Sequence, residues 1–201
     1  MKCWRLFALV LAVGAGLVGC TQLAADAPSR VWYVLEDAGG ARMTPPEPAR
    51  EIRVSGEPGS DFYESRALAF SRERATRGYF QYASWSESPA DRIARLFRAR
   101  LREGGAAAPP GARALRLVLD DLYLDVADAG KPMVRLVIEA RLEPGLANEA
   151  GAAQVFRIDE AVANADAAGM AQGAGRALGR VFDDILEWLD RTMVKPAARR
   201  G

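Results

Sequence analysis

The chain has 201 residues with 27 basic and 26 acidic side chains, two cysteines and no histidine. This balance supplies no basic field for nucleic acid and no polybasic patch for anionic lipid. Without histidine, Ser-His-Asp catalysis, Cys-His catalysis and histidine metal sites are all excluded, which leaves carboxylate, Lys, Tyr or Arg chemistry.

Lys2 and Arg5 lead into an uncharged apolar stretch from Leu6 to Leu17, the grammar of an export signal. A membrane span needs about 20 apolar residues, whereas here Thr21, Gln22 and Asp26 follow at once. The stretch closes on Leu17-Val18-Gly19-Cys20, a tetrad that resembles the lipobox of bacterial lipoproteins. That pattern implies cleavage before Cys20, a diacylglycerol thioether on its sulfur and an acylated new amine. Residues 1–19 are therefore read as a lipoprotein signal peptide. Cleavage discards Cys3 and acylation consumes Cys20, so no disulfide can form. Each buried methylene adds about 0.8 kcal/mol of membrane affinity, and two or more acyl chains anchor durably.

Residues 20–30 read as the acylated N-terminus and a small, polar tether. Ten residues reach about 35 Å when fully extended. A single domain is expected over 31–193, followed by a basic tail over 194–201. It opens with a strand over Val31–Leu35, "VWYVL", rich in β-formers, and a short strand over Glu51–Val54. "DAGGARMTPPEPA" between them and "GEPGSD" after them read as loops. Arg66–Ser71 and Gly78–Ser84 form a predicted hairpin across the charged turn "RERATR".

A helix is predicted from Ser88. Ser88-Pro89-Ala90-Asp91 approximates a capping box, with a hydroxyl at the N-cap and proline at the first helical position. Ile93, Leu96, Phe97 and Leu101 repeat at helical spacing, Arg92, Arg95, Arg98, Arg102 and Glu103 lie elsewhere, and Gly104-Gly105 ends the helix. Two long strands follow, over Ala114–Val126 and Pro132–Leu142, joined by "DAGK". In the second, Val134, Leu136, Ile138, Ala140 and Leu142 share one face. In the first, apolar parity changes from 115, 117 and 119 to 122, 124 and 126, which predicts a β-bulge near Asp120-Asp121. A third strand over Gln154–Ala163 extends the meander. A last helix over Asp166–Asp190 carries a broad apolar stripe, and close approach to a sheet would explain its Gly169, Gly173, Gly175 and Gly179. The expected fold is α/β, a single domain with a mixed, mostly antiparallel sheet packed with two main helices.

Four features invite a chemical reading. The acids of "DDLYLDVAD" lack the glycine and glutamate that an EF-hand requires and alternate over both strand faces. Gly173, Gly175 and Gly179 do not form G-x-G-x-x-G, and no strand immediately precedes them. Asp183, Asp184 and Glu187 are read as a solvated face, with Arg180–Asp184 and Glu187–Arg191 as i,i+4 partners. "GYFQYASWSESP" is different, because alternation must turn some of its rings away from the core. Tyr79, Tyr82 and Trp85 are the candidate partner contacts. No catalytic residue, metal ligand or cofactor is assigned.

"WYVL" at 32–35, "IRV" at 52–54, "SRALAF" at 65–70, "YFQYASWSESP" at 79–89 and "EWL" at 187–189 occur in an order that resembles the ABC-type transport auxiliary lipoproteins, the PqiC-like family. The resemblance spans about residues 31–190. It implies a TolB N-terminal or anticodon-binding-like fold and a non-catalytic role beside an ABC transporter permease and ATPase and an MCE-domain lipid-binding protein. It also implies lipid anchoring at the outer membrane, facing the periplasm; Thr21 replaces the aspartate that commonly retains lipoproteins in the inner membrane. A homo-oligomer is left open. The competing readings are a periplasmic-facing lipid- or small-ligand-binding lipoprotein, an outer-membrane assembly lipoprotein, and a carboxylate hydrolase needing two converging acids.

Overall fold

The computed structural model describes residues 29–40, 43–102, 108–128, 130–145 and 150–193. The chain divides into two compact units, Met1–Arg30 and Val31–Gly201. Leu17, Val18, Gly19 and Cys20, residues 21–28 of the tether, the Gly104-Gly105 helix stop and the 194–201 tail lie outside the described residues.

The second unit runs β1 (Val31–Tyr33), β2 (Arg53–Pro58), β3 (Ala67–Ser71), β4 (Gly78–Trp85), α1 (Pro89–Leu101), β5 (Ala114–Asp125), β6 (Met133–Leu142), β7 (Ala152–Ala161) and α2 (Ala167–Met193). These strands form one mixed sheet in the order β1-β4-β3-β5-β6-β7, with β2 also paired to β5. The β3–β4, β5–β6 and β6–β7 pairs are antiparallel. The β1–β4, β2–β5 and β3–β5 pairs are parallel; α1 lies in the crossover of the last two, and the long segment between β1 and β4 makes the first.

β5 organises the sheet. Its first half, Ala114–Leu119, pairs with β2, and its end, Tyr123–Asp125, pairs with β3. Between the two halves the register against β6 shifts from Leu119 to Asp121. This is the bulge that the parity change predicts, and it keeps Leu115, Leu117, Leu119, Leu122 and Leu124 all buried. Both helices cover that face: α1 packs on β2 and β5, α2 on β6 and β7, and they meet at Phe97 and Phe182, whose ring centroids are 4.9 Å apart. Among the described residues the opposite face of the sheet carries no α-helix, only the 3-10 turn Asp61–Tyr63.

Three local readings require correction. Ser88 occupies the N-cap, but its side chain makes no capping hydrogen bond. β2 continues through Gly56 and Pro58 rather than ending at Val54. A Cβ at Gly56 would collide with the carbonyl of Ala90, so this glycine marks where α1 crosses the strand. The glycines of α2 divide by neighbour. A Cβ at Gly173 would lie 2.5 Å from Val162 and 2.8 Å from Val134 of β6, the expected sheet approach. Gly175 and Gly179 instead meet the strap that follows β1: a Cβ at Gly175 would lie 3.1 Å from the Glu36 carbonyl, and one at Gly179 would strike the Gly39 backbone.

That strap, read from sequence as a plain loop, is bound by a buried ion cluster. Arg100 on α1, 5% exposed, pairs with Asp37 at 3.1 Å and with Asp183 of α2 at 3.0 Å. Its guanidinium also donates to the Gly179 carbonyl at 3.0 Å, and the Met43 amide donates to Asp183 at 3.1 Å. Asp183 therefore belongs to a core junction rather than to a solvated face. Arg180 turns to Glu160 at 3.0 Å instead of to Asp184, while Glu187–Arg191 forms at 3.1 Å as expected.

Candidate functional site

The helix-free face of the sheet gathers the exposed rings. Trp32 stands opposite Ser84, and Tyr82, two residues before Ser84, shares its face by strand alternation. Trp32 is 49% exposed and Tyr82 45%. Trp85, in contrast, is 2% exposed and belongs to the core, so its ring is not available to a partner. Of the three rings singled out from sequence, the structure brings Tyr79 and Tyr82 to the surface and withdraws Trp85.

Tyr79 reaches that face by a different route. Between the pairs Ala67–Ser84 and Ala69–Tyr79, two steps along β3 span five along β4. This irregularity inverts parity, so Tyr79 lies in line with Ala69 and Tyr123 although it is odd-numbered like Trp85. Tyr79 is also 45% exposed and stacks on Phe62, with centroids 4.7 Å apart and planes 18° apart. Trp32 and Phe62 were not among the sequence candidates. Trp32 sits in the β-former run, where alternation over three residues cannot tell a core ring from a surface ring.

β1 covers β4 only at Ala83–Trp85. Along Gly78–Tyr82, no strand among the described residues lies on that side. β4 contains neither a charged residue nor a proline, the devices that usually discourage pairing at an open edge. The site thus combines a strand edge that no described strand covers with amphipathic rings.

Toward the middle of the same face the rings give way to paired charges. Arg77 lies 3.5 Å from the centre of the Tyr123 ring and donates to Asp121 at 3.3 Å. The Tyr63 hydroxyl donates to the same carboxylate at 2.7 Å. Burial, then this hydrogen bond, raises the phenol's pKa far above its usual range. Arg135 bridges Asp125 at 2.7 Å and Asp159 at 3.0 Å, while Arg116 pairs with Glu143 at 2.5 Å. Such saturated pairs hold a surface in shape; they are not poised to move protons. Among the described residues no group of three or more His, Cys, Asp or Glu could hold a metal ion. No described helix is long and apolar enough to cross a membrane.

The family model described as "ABC-type transport auxiliary lipoprotein component" matches residues 33–186. A solved structure of protein XCC0632 from Xanthomonas campestris, of family DUF330, is similar at a TM-score of 0.65 and 14% identity, over 82% of this chain and 97% of that one. A second solved structure, of an uncharacterized protein, gives a TM-score of 0.60 at 9% identity, over 80% of this chain and 99% of that one. At these identities the likeness is one of fold. A search of curated proteins gave no match.

Proposed function

Because the chain belongs to the family of ABC-type transport auxiliary lipoproteins, we propose that it is a non-catalytic docking component of an MCE-type lipid transport system in the bacterial envelope. In this reading Cys20 carries the lipid, and residues 21–30 hold the domain off the bilayer. The helix-free aromatic edge receives a partner subunit. The observation that carries it is the edge itself: Trp32, Tyr79 and Tyr82 exposed beside an uncharged, incompletely covered strand. Amphipathic rings give large contact area for little lost side-chain freedom, and they anchor interfaces for that reason.

Asp120 and Asp184 are acids pushed upward, the first by burial and by the charge of Glu139, the second by burial and by Glu187. Each also faces an arginine that opposes the shift, Arg141 and Arg157 for Asp120 and Arg180 for Asp184. They stand on different elements, the bulge of β5 and the helix α2. The sequence Leu17-Val18-Gly19-Cys20-Thr21 supports outer-membrane attachment, with the domain facing the periplasm.

Co-purification from solubilised envelopes tests the surface. Wild-type chain should retain the MCE protein, permease and ATPase, and a Trp32→Ala, Tyr82→Lys variant should lose at least about tenfold of them while its stability changes by no more than about 0.5 kcal/mol per exposed site. Undiminished partner yield would refute the surface. Intact-mass measurement tests the anchor: the mature chain should begin at Cys20 and carry acyl mass, and a different or unmodified N-terminus would refute it.

A further inference from the structure

On the same helix-free face, a cavity of about 390 Å³ opens between the turn joining β3 to β4 and the turn joining β5 to β6. Its floor is the end of three neighbouring strands, with Ser71, Asp125 and Met133 in register. Four cations line it, Arg74, Arg77, Lys131 and Arg135, against two acids, Asp125 and Asp128.

The four cations divide into two kinds. Arg77 is fixed by the Tyr123 ring and Asp121, and Arg135 by Asp125 and Asp159. Their charge is largely answered. Arg74 and Lys131 have no ion-pair partner among the described residues, so the positive excess of the cavity resides on these two side chains. Asp125 cannot relieve it. Burial opposes its ionisation, but the Ala127 amide at 3.0 Å and Arg135 outweigh that and hold its pKa below the usual aspartate value, committed to other partners. Asp128 accepts from the Gly130 amide at 3.3 Å and keeps its charge, so the two cations face one acid and the cavity retains a net positive charge.

The turn that presents Arg74 is unusual. Ala75 adopts φ of 63°, a left-handed conformation that costs a residue with a Cβ roughly 1–2 kcal/mol. The turn is held by Ser71 Oγ and Thr76 Oγ1, both donating to the Glu73 carbonyl, at 2.7 and 2.9 Å. Strain maintained by surrounding bonds marks positions where direction matters. Here it sets Arg74 at the cavity.

We infer that this cavity binds a phosphate ester, with Arg74 and Lys131 as the ligands of the phosphate oxygens. A guanidinium offers parallel donors to two oxygens and an ammonium offers a compact point charge, the usual complement of a phosphoryl group. The volume exceeds that of a bare phosphate and falls in the range of small-ligand sites. Tyr123, Met133 and Ala127 supply surface for the ester's carbon portion. The phosphate can belong to a phospholipid headgroup or to a soluble ester. The inference stands apart from the partner reading, since neither cation belongs to the aromatic edge.

Calorimetric titration of the full-length chain in neutral detergent separates the two sources. The probes are glycerol 3-phosphate, dihexanoyl phosphatidylglycerol and, as a phosphate-free control, dihexanoylglycerol. One or both phosphate probes should bind and the control should not. Arg74→Gln and Lys131→Gln should each weaken binding about tenfold, and Arg74→Lys should restore part of it. Both sites are exposed, so circular dichroism should show unchanged folding. Tighter binding of the lipid probe identifies a headgroup site, and equal or tighter binding of glycerol 3-phosphate identifies a soluble ester. Binding of neither phosphate probe overturns the inference, as does equal affinity in the wild-type chain and the Arg74→Gln, Lys131→Gln double variant.

Discussion

The two edges of the sheet solve the same physical problem in opposite ways. β7 pairs with β6 along its full ten residues and carries Arg157, Asp159 and Glu160. Glu160 is tied to α2 by Arg176 at 2.7 Å and Arg180 at 3.0 Å. Charges on an edge make pairing with a foreign strand unfavourable. At the other edge, β1 is three residues long, β4 has no charge, and exposed rings flank it. One edge is closed by its own sequence. The other is left receptive, and what holds it in place is the buried ion cluster behind the strap.

The cluster is the point at which to break the receptive edge. Arg100→Leu removes the cation from between Asp37 and Asp183 and leaves two carboxylates in a desolvated junction. The expected loss is about 3–5 kcal/mol, the range for removing one member of a buried pair, read from urea denaturation. Amide exchange should rise first in the strap and β1, with β6 and β7 protected until global unfolding. Uniform loosening of both edges would show that the cluster serves the whole core instead. Trp85→Ala should cost a similar amount, about 3–5 kcal/mol, because the ring fills the core. Tyr82→Ala, three residues away, should stay within about 0.5 kcal/mol.

This contrast shows what could be read from the chain and what could not. The bulge at Asp120-Asp121 was legible because five leucines keep to one face only if parity changes there. The β3–β4 irregularity was not, since the apolar side chains of "GYFQYASW" come in adjacent pairs, Tyr79-Phe80 and Tyr82-Ala83, and its alternation carries no phase. Trp85 is therefore a candidate contact by sequence and a core ring in the structure. β2 beyond Val54 was hidden by Gly56 and Pro58, whose turn-like character is overridden by pairing with β5, more than 50 residues away. Arg100 left a signal that could have been used. It lies seven residues after Ile93 and three after Phe97, on the apolar stripe itself, and a cation there requires a buried acid.

Gly179→Ala probes the same edge more gently. The added methyl would meet the Gly39 backbone, so the strap must shift. Overpacking of this kind costs typically about 1–3 kcal/mol, against a gain in helix propensity of about 1 kcal/mol. Thermal denaturation should show net destabilisation. A rise in melting temperature would mean that the strap yields freely, and that the receptive edge is less firmly held than its hydrogen bonds imply.

The smallest expected effect belongs to the closed edge, and its pH dependence gives it a signature. Burial disfavours the charged form of Glu160, but the hydrogen bonds from Arg176 and Arg180 outweigh that and lower its pKa. A carboxylate with a lowered folded-state pKa contributes stability above its unfolded value, about 4.3, and loses it as pH falls through the folded value. Both arginines are substantially exposed, at 41% and 51%, so each pair should contribute only about 0.2–1 kcal/mol. Glu160→Gln should therefore lower stability slightly at pH 7, and the difference from wild type should shrink as the pH falls below the unfolded value and vanish once it has passed through the lowered folded one. High salt should shrink it at neutral pH. A difference that persists in acid would assign the residue's role to packing of its methylenes, and the charges on β7 would then serve to exclude strands without fastening the edge to α2.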